Sequence, residues 1–247
     1  MNSNIRLIVL DCDGVLSVGE AQPFNLELMA RLAELNQRAR QGEAVPAVTL
    51  NTGRPSPYVE AVMQAIGGWQ PALFENGAGM YLPQTYQFET TPLLAEEHLT
   101  ALAEILARVD AAIVQPGHGY WQPGKRVCHS LFAHPPHTIA DFTAEVQAIA
   151  AEVSAAFAVV PAVLALNIYP AHINKGSGLQ WLADVTGIKP AHMAGVGDSS
   201  SDVDFLQLVG HPAAPVNATP DVKAAAQFVA ARPDALGLLD ILDAWGQ

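Results

Sequence analysis

Cysteine is nearly absent from this 247-residue chain, which holds only Cys12 and Cys128. Two thiols build no disulfide framework, and their separation is not that of zinc ligands. Cations are scarce as well. Twelve Lys and Arg stand against twenty-four Asp and Glu, a formal net charge of −12. Docking on nucleic-acid phosphates needs clustered cations, so no nucleic-acid partner is expected. Only four residues are lysine, at 125, 175, 189 and 223, and each can be placed individually. Charged residues are 15% of the chain and hydrophobic ones 50%, a balance opposite to that of disordered segments. Long apolar runs are missing too. The greasiest stretch, 148–169, is broken by Glu152, Ser154, Pro161 and Asn167, whereas a membrane span wants about 20 nearly uninterrupted apolar residues. The opening run, Met-Asn-Ser-Asn-Ile-Arg, lacks the basic and apolar regions of a secretory signal. The expectation is a soluble cytoplasmic protein with no membrane partner, monomer or homodimer.

What is present is an alternation of apolar strands and amphipathic helices. Ile5–Leu10 is apolar and β-branched except at Arg6, as for a strand covered on both faces. Leu26, Met29, Leu32 and Leu35 mark a helix, Ala47–Leu50 a second strand, and Ser56-Pro57 a helix start with Ser56 as its cap. This grammar predicts a doubly wound α/β sheet. It changes over 83–170, where helices at Leu94–Val109 and Ile139–Val153 alternate with paired strands near Ala111–Val114, Val127–Phe132, Phe157–Val160 and Leu164–Ile168. That order, αββαββ, predicts a small antiparallel sheet carrying two helices, inserted as a cap. The expected division is therefore a catalytic core, 1–82 with 171–247, and a cap, 83–170. In the core, strands ending at Gly197-Asp198 and spanning His211–Val216, and helices after Lys175, over Ser200–Leu208 and near Val222 and Leu236, complete the pattern.

Open α/β sheets bind ligands at the carboxyl ends of their strands. At those ends the sequence puts Asp11-Cys12-Asp13, Thr52-Gly53-Arg54, Asn174-Lys175-Gly176 and Asp198 with Asp202. Residues two apart in an extended segment share a side, so Asp11 and Asp13 can serve one site while Cys12 faces away. Asp198 and Asp202, four apart at a helix mouth, can share another. Gathered carboxylates repel unless a cation lies between them, and hard oxygen ligands in partial number suit Mg²⁺. Thr52 and Lys175 would hold an anionic substrate, beside the free N–H groups of the helix after Arg54. In such an arrangement Asp11 can attack phosphorus to form an aspartyl-phosphate. Asp13 can protonate the leaving alkoxide and then activate water.

Asp11-x-Asp13-Gly14-Val15, Thr52-Gly53-Arg54, Asn174-Lys175-Gly176 and Gly197-Asp198-Ser-Ser-Ser-Asp202 resemble, in order, the four motifs of the haloacid dehalogenase (HAD) superfamily of phosphohydrolases. Glu75-Asn76-Gly77-Ala78 and Pro215-Val216-Asn217-Ala218 support the match. An insertion between the second and third motifs is similar to the Cof-type branch, which includes sugar-phosphate, phosphoglycolate and mannosylphosphoglycerate phosphatases. The resemblance implies a Mg²⁺-dependent phosphatase for a small phosphorylated metabolite. It makes Asp11 nucleophile and metal ligand, and Asp13 the acid/base, lending its backbone carbonyl to the metal. Thr52, Gly53, Arg54 and Lys175 become the substrate side. Asp198 ligates Mg²⁺, with Asp202 as ligand or support. Ser201 stands where the branch usually carries Asn, and Val15 where many members carry Thr.

Each residue also has a plainer reading. A strand-end Asp is often a turn former or cap, and Arg54 serves equally as a structural partner for a carboxylate. In the insertion, His118, Tyr120, Trp121, Lys125, Arg126 and His129 could read a substrate or simply decorate a hairpin. A phosphomutase of the same fold is the nearest alternative. A phospho-accepting or binding domain is a further one, against which the Asp13 acid and the insertion argue.

Overall fold

The buried strand Leu7–Leu10 (β1) lies between two parallel neighbours, so its four residues need apolar side chains on both faces. The fold is that of a computed structural model describing residues 4–162 and 164–247; Met1–Ser3 and Val163, within the opening run and the apolar stretch considered above, lie outside them. Leu26–Arg40 (α1) follows, capped by Asn25, whose side chain accepts from the Leu28 N–H at 3.0 Å. Its buried face is Leu28, Met29, Leu32 and Leu35; Leu26, at the helix start, is 80% exposed. Ala47–Leu50 (β2) pairs with β1. Ser56–Ala65 (α2) begins one residue from the expected place. Pro55 sits at the cap, Ser56 is already helical, and no side-chain cap bond forms.

Three short strands then form a separate antiparallel ribbon: Ala72–Phe74 (β3), Gly79–Leu82 (β4) and Gln87–Thr90 (β5). β3 reaches β2 through a parallel bridge, Asn51 to Leu73. None of the three was evident in the sequence, because they are brief and their turn, Glu75–Gly77, takes positive φ at all three residues.

Contacts divide the chain into the part through Thr91 with Asn174–Gln247, and Pro92–Ile173. β5, beyond the expected boundary at 82, hydrogen-bonds to β4 and groups with the first unit. The second unit holds Glu96–Val109 (α3), Gly119–Trp121 (β6), His129–Ala133 (β7), Ile139–Val153 (α4), Phe157–Pro161 (β8) and Ala165–Pro170 (β9). Its sheet runs β6-β7-β9-β8, all antiparallel, and its core joins Ile105 and Val109 of α3 to Phe142, Val146 and Ile149 of α4 and to Leu131, Leu166 and Ile168. The strand expected at Ala111–Val114 is instead a π-helical turn, Asp110–Val114, closed by Gln115 N–H donating to the Asp110 carbonyl at 2.8 Å. Ile113 continues the buried stripe of Ile105 and Val109 at four-residue spacing, so packing prolongs the helix.

The first unit resumes with Lys175–Thr186 (α5), Met193–Val196 (β10), Val203–Leu206 (α6), His211–Ala214 (β11), Pro220–Ala225 (α7), Phe228–Val229 (β12) and Asp234–Trp245 (α8). The five-stranded sheet is parallel in the order β12-β11-β10-β1-β2, with apolar layers on both faces. Among the described residues no helix is long and apolar enough to cross a membrane.

Candidate active site

β1 and β10, adjacent and parallel, deliver Asp11 and the Gly197-Asp198 loop to the same sheet edge. Asp11 N–H donates to the Val196 carbonyl at 3.0 Å, carrying the ladder one residue further. Cys12 is fully buried and belongs to the apolar layer, while Asp11 is buried among the polar groups and Asp13 pairs with Arg54. The chain then turns at Gly14, whose φ is +73°. A Cβ there would lie 2.0 Å from Asp198 Oδ2, so glycine is what lets the two loops meet. Asn217 closes the turn, donating from Nδ2 to the Gly14 carbonyl at 3.0 Å.

Lys175 is the first residue of α5, placed by Asn174, which caps the helix by accepting from Ser177 N–H at 2.8 Å. A cation at a helix N-terminus opposes the dipole, and only 2% of this side chain is exposed. Two carboxylates compensate. Lys175 Nζ lies 3.0 Å from Asp11 Oδ1 and donates to Asp202 Oδ1. Asp202, wholly buried, accepts through Oδ2 from the backbone N–H groups of Asp198 and Ser199, each at 2.9 Å. The Ser201 hydroxyl pairs with Ser199 Oγ at 2.9 Å, and Asp202 organises the loop.

Carboxylate oxygens of Asp11, Asp198 and Asp202 lie within 4.8 Å of one another. Burial pushes Asp11 up to about 7 despite Lys175, with Asp202 and Asp13 adding to the rise. Burial, reinforced by Asp11 and Asp202, raises Asp198 to about 8. For Lys175, burial works downward, but Asp11 and Asp202 together hold its ammonium above the ordinary lysine range. Three acids share one buried cation, so a further positive charge would be stabilised. The all-oxygen donor set fits a hard divalent ion such as Mg²⁺.

Asp13 stands apart from this trio. Arg54 grips its carboxylate with both arms, Nε to Oδ2 at 2.7 Å and Nη2 to Oδ1 at 2.5 Å. Thr52 is buried, its Oγ1 accepting from Arg54 N–H at 3.2 Å, and Gly53 follows at the surface of the loop. Three neighbours escaped the sequence reading. Asn51 donates from Nδ2 to the Lys175 carbonyl at 3.0 Å, Tyr58 stacks on Arg54, and Glu20 lies 3.8 Å from Arg54 Nη2. Asn51, polar and directly after an apolar strand, was the one visible signal. In the second unit, two of the aromatic and basic residues noted in the sequence meet, Trp121 and His129 packing edge to face with centroids 5.7 Å apart. Trp121 packs toward the apolar core and donates to Asp110 at 2.6 Å, whereas Tyr120 stacks on Phe132.

A family model described as haloacid dehalogenase-like hydrolase matches residues 122–242. A phosphoglycolate phosphatase of Methanococcoides burtonii is 23% identical over 97% of this chain and 96% of its own length. That of Methanothrix thermoacetophila is 40% identical over 79 residues, 32% of this chain and 36% of its own. Among solved structures, a Thermoplasma acidophilum protein superposes with a TM-score of 0.77 at 18% identity, covering 98% of both chains. A haloacid dehalogenase-like hydrolase from Bacteroides thetaiotaomicron gives 0.73 at 16%, over 96% of this chain and 99% of that one. Motif order, sheet topology and these matches agree in making the chain similar to haloacid dehalogenase-like hydrolases, with an α/β insertion between its second and third motifs.

Proposed function

We propose that the protein is a Mg²⁺-dependent phosphatase that hydrolyses a small phosphorylated metabolite, phosphoglycolate foremost, through an aspartyl-phosphate on Asp11. The observation that carries this reading is the cluster of Asp11, Asp198 and Asp202, in which a single buried ammonium, Lys175, pairs with Asp11 and Asp202.

Asp11, Asp198 and Asp202, with the backbone carbonyl of Asp13, would hold the ion. Mg²⁺, when bound, would offset the negative charge shared by these acids and the phosphoryl oxygens. Lys175 Nζ favours the ionised form of Asp11 against burial and orients it, and with Thr52 and Gly53 it receives the phosphoryl group. An Asp11 oxygen attacks phosphorus and the ester P–O bond breaks. Asp13, entering this step protonated, passes that proton to the departing oxygen and becomes the carboxylate that Arg54 grips. Asp13 then takes a proton from water, whose oxygen attacks the acyl phosphate, releasing inorganic phosphate and restoring Asp11. Arg54, committed to Asp13 in this conformation, is assigned to holding that carboxylate; contact with phosphate would require it to turn away.

The phosphoglycolate phosphatases similar over nearly the whole chain favour that substrate above hexose phosphates or glycosyl-phosphoglycerates. Two buried free thiols are compatible with a reducing cytoplasm. The test is phosphate release from 2-phosphoglycolate, hexose phosphates and a glycosyl-phosphoglycerate, with Mg²⁺ and with excess chelator. Fastest release from phosphoglycolate, abolished by chelator, is expected. Release from none of them, or turnover undiminished in chelator, overturns the reading.

A further inference from the structure

We infer that Tyr58 is a positioning residue for the Asp13 carboxylate, acting through Arg54; its catalytic part rests on the function proposed above. The Asp13 side chain is 33% exposed, so by itself it would sample several rotamers in water. The two-armed grip of Arg54 removes that freedom, because a planar guanidinium on a planar carboxylate fixes both position and plane. Such a grip is only as good as the support behind the arginine.

That support is aromatic. Arg54 Cζ lies 4.8 Å from the centre of the Tyr58 ring, within the range where a cation is attracted to a ring face. Only 11% of the Arg54 side chain meets solvent, which strengthens the attraction and keeps water off the fork. Tyr58 is itself anchored in the first turn of α2, its N–H donating to the Pro55 carbonyl at 3.1 Å, and its ring packs on Phe24 with centroids 6.3 Å apart. Phe24 and Tyr58 both rest on the apolar layer of the parallel sheet. Rigidity thus passes from that layer to Tyr58, then to Arg54, then to Asp13. Glu20, at 3.8 Å from Arg54 Nη2, offers a second carboxylate toward which an unsupported guanidinium would drift.

The ring face, not the hydroxyl, is what the inference requires, and two substitutions separate them. Tyr58→Phe keeps the ring; Tyr58→Leu removes it. One readout is solvent exchange of the Arg54 Nε–H proton by NMR, assigned by its loss in Arg54→Lys. It should stay protected in the parent protein and in Tyr58→Phe, and exchange about tenfold faster or more in Tyr58→Leu. The other is aryl-phosphate hydrolysis with Mg²⁺. There Tyr58→Leu should lose about tenfold in kcat with KM within about twofold, and Tyr58→Phe should keep both. Equal behaviour of Phe and Leu, protection retained in Leu, or full kcat with the proton released would each overturn the inference. If Tyr58→Leu loses cooperative unfolding, Tyr58→Met, which keeps apolar volume without a ring face, replaces it under the same criteria. A parent protein that hydrolyses no phosphate ester defeats the proposed function instead. The exchange arm still decides whether Tyr58 holds the fork.

Discussion

Lys175 Nζ bridges Asp11 and Asp202, lying 3.0 Å from Asp11 Oδ1 and donating to Asp202 Oδ1 from a position almost sealed from solvent. Removing that ammonium leaves two buried acids, with Asp198 close by, and no compensating charge. Breaking a buried pair from one side typically costs about 3–5 kcal/mol. Lys175→Ala should therefore lower the melting temperature as well as kcat, the latter by about a hundredfold or more. Added Mg²⁺ should recover stability but not rate. Thermal unfolding and steady-state kinetics on one preparation check both.

Asp11→Asn tests the covalent route without disturbing the fold. The amide is nearly isosteric and relieves repulsion with Asp198 and Asp202, so the melting temperature without metal should hold or rise. Turnover should fall by about four orders of magnitude or more, since an amide oxygen is a poor nucleophile. Retained turnover would exclude attack by Asp11.

The raised acids make stability depend on pH in a definite direction. Asp11 sits near 7 and Asp198 near 8 when folded, each against an ordinary 3.8. The folded state thus binds protons more tightly than the unfolded one. Their contribution is full below about 4 and is lost as pH rises through 7 and 8. Lys175, raised above its ordinary 10.5, stays protonated throughout and adds no slope there. In chelator the melting temperature should fall between pH 5 and pH 8. With Mg²⁺ the fall should shrink, so that the ion stabilises more at pH 8 than at pH 5. A metal effect equal at both pH values would contradict the clustered-acid account. Differential scanning calorimetry in matched buffers measures it.

Gly14→Ala should damage the site from the backbone. Its Cβ would overlap Asp198 Oδ2 at 2.0 Å, and φ of +73° strains any side chain, at about 1–3 kcal/mol for the backbone alone. The expected result is a lower melting temperature and weaker Mg²⁺ dependence of turnover. An unchanged metal titration would show that the two loops move apart without consequence.

The helix Ile139–Val153 and the strand Ala47–Leu50 were legible residue by residue, because each is long or apolar enough for its own period to show. The segment 111–114 was not. Its β-branched and small residues suit a strand, and only burial of Ile113 in line with Ile105 and Val109 makes it helical. The β3-β4-β5 ribbon was hidden for the opposite reason: strands of three or four residues carry too little pattern. Within the site, Arg54 had two equal readings as a sequence, and the choice of Asp13 as its partner depends on a fold that brings positions 41 residues apart into contact.

By itself the sequence determined which chemical groups stand at strand ends and in what order, since strand period and turn residues are local properties of the chain. Only the tertiary structure decided which of those groups meet. Lys175 lies between Asp11 and Asp202, Asp13 lies on Arg54 rather than in the acidic trio, and Asn51 holds the carbonyl of Lys175. Partner choice among buried charges is set by distances and desolvation across the fold, and neither quantity exists until the strands are laid side by side.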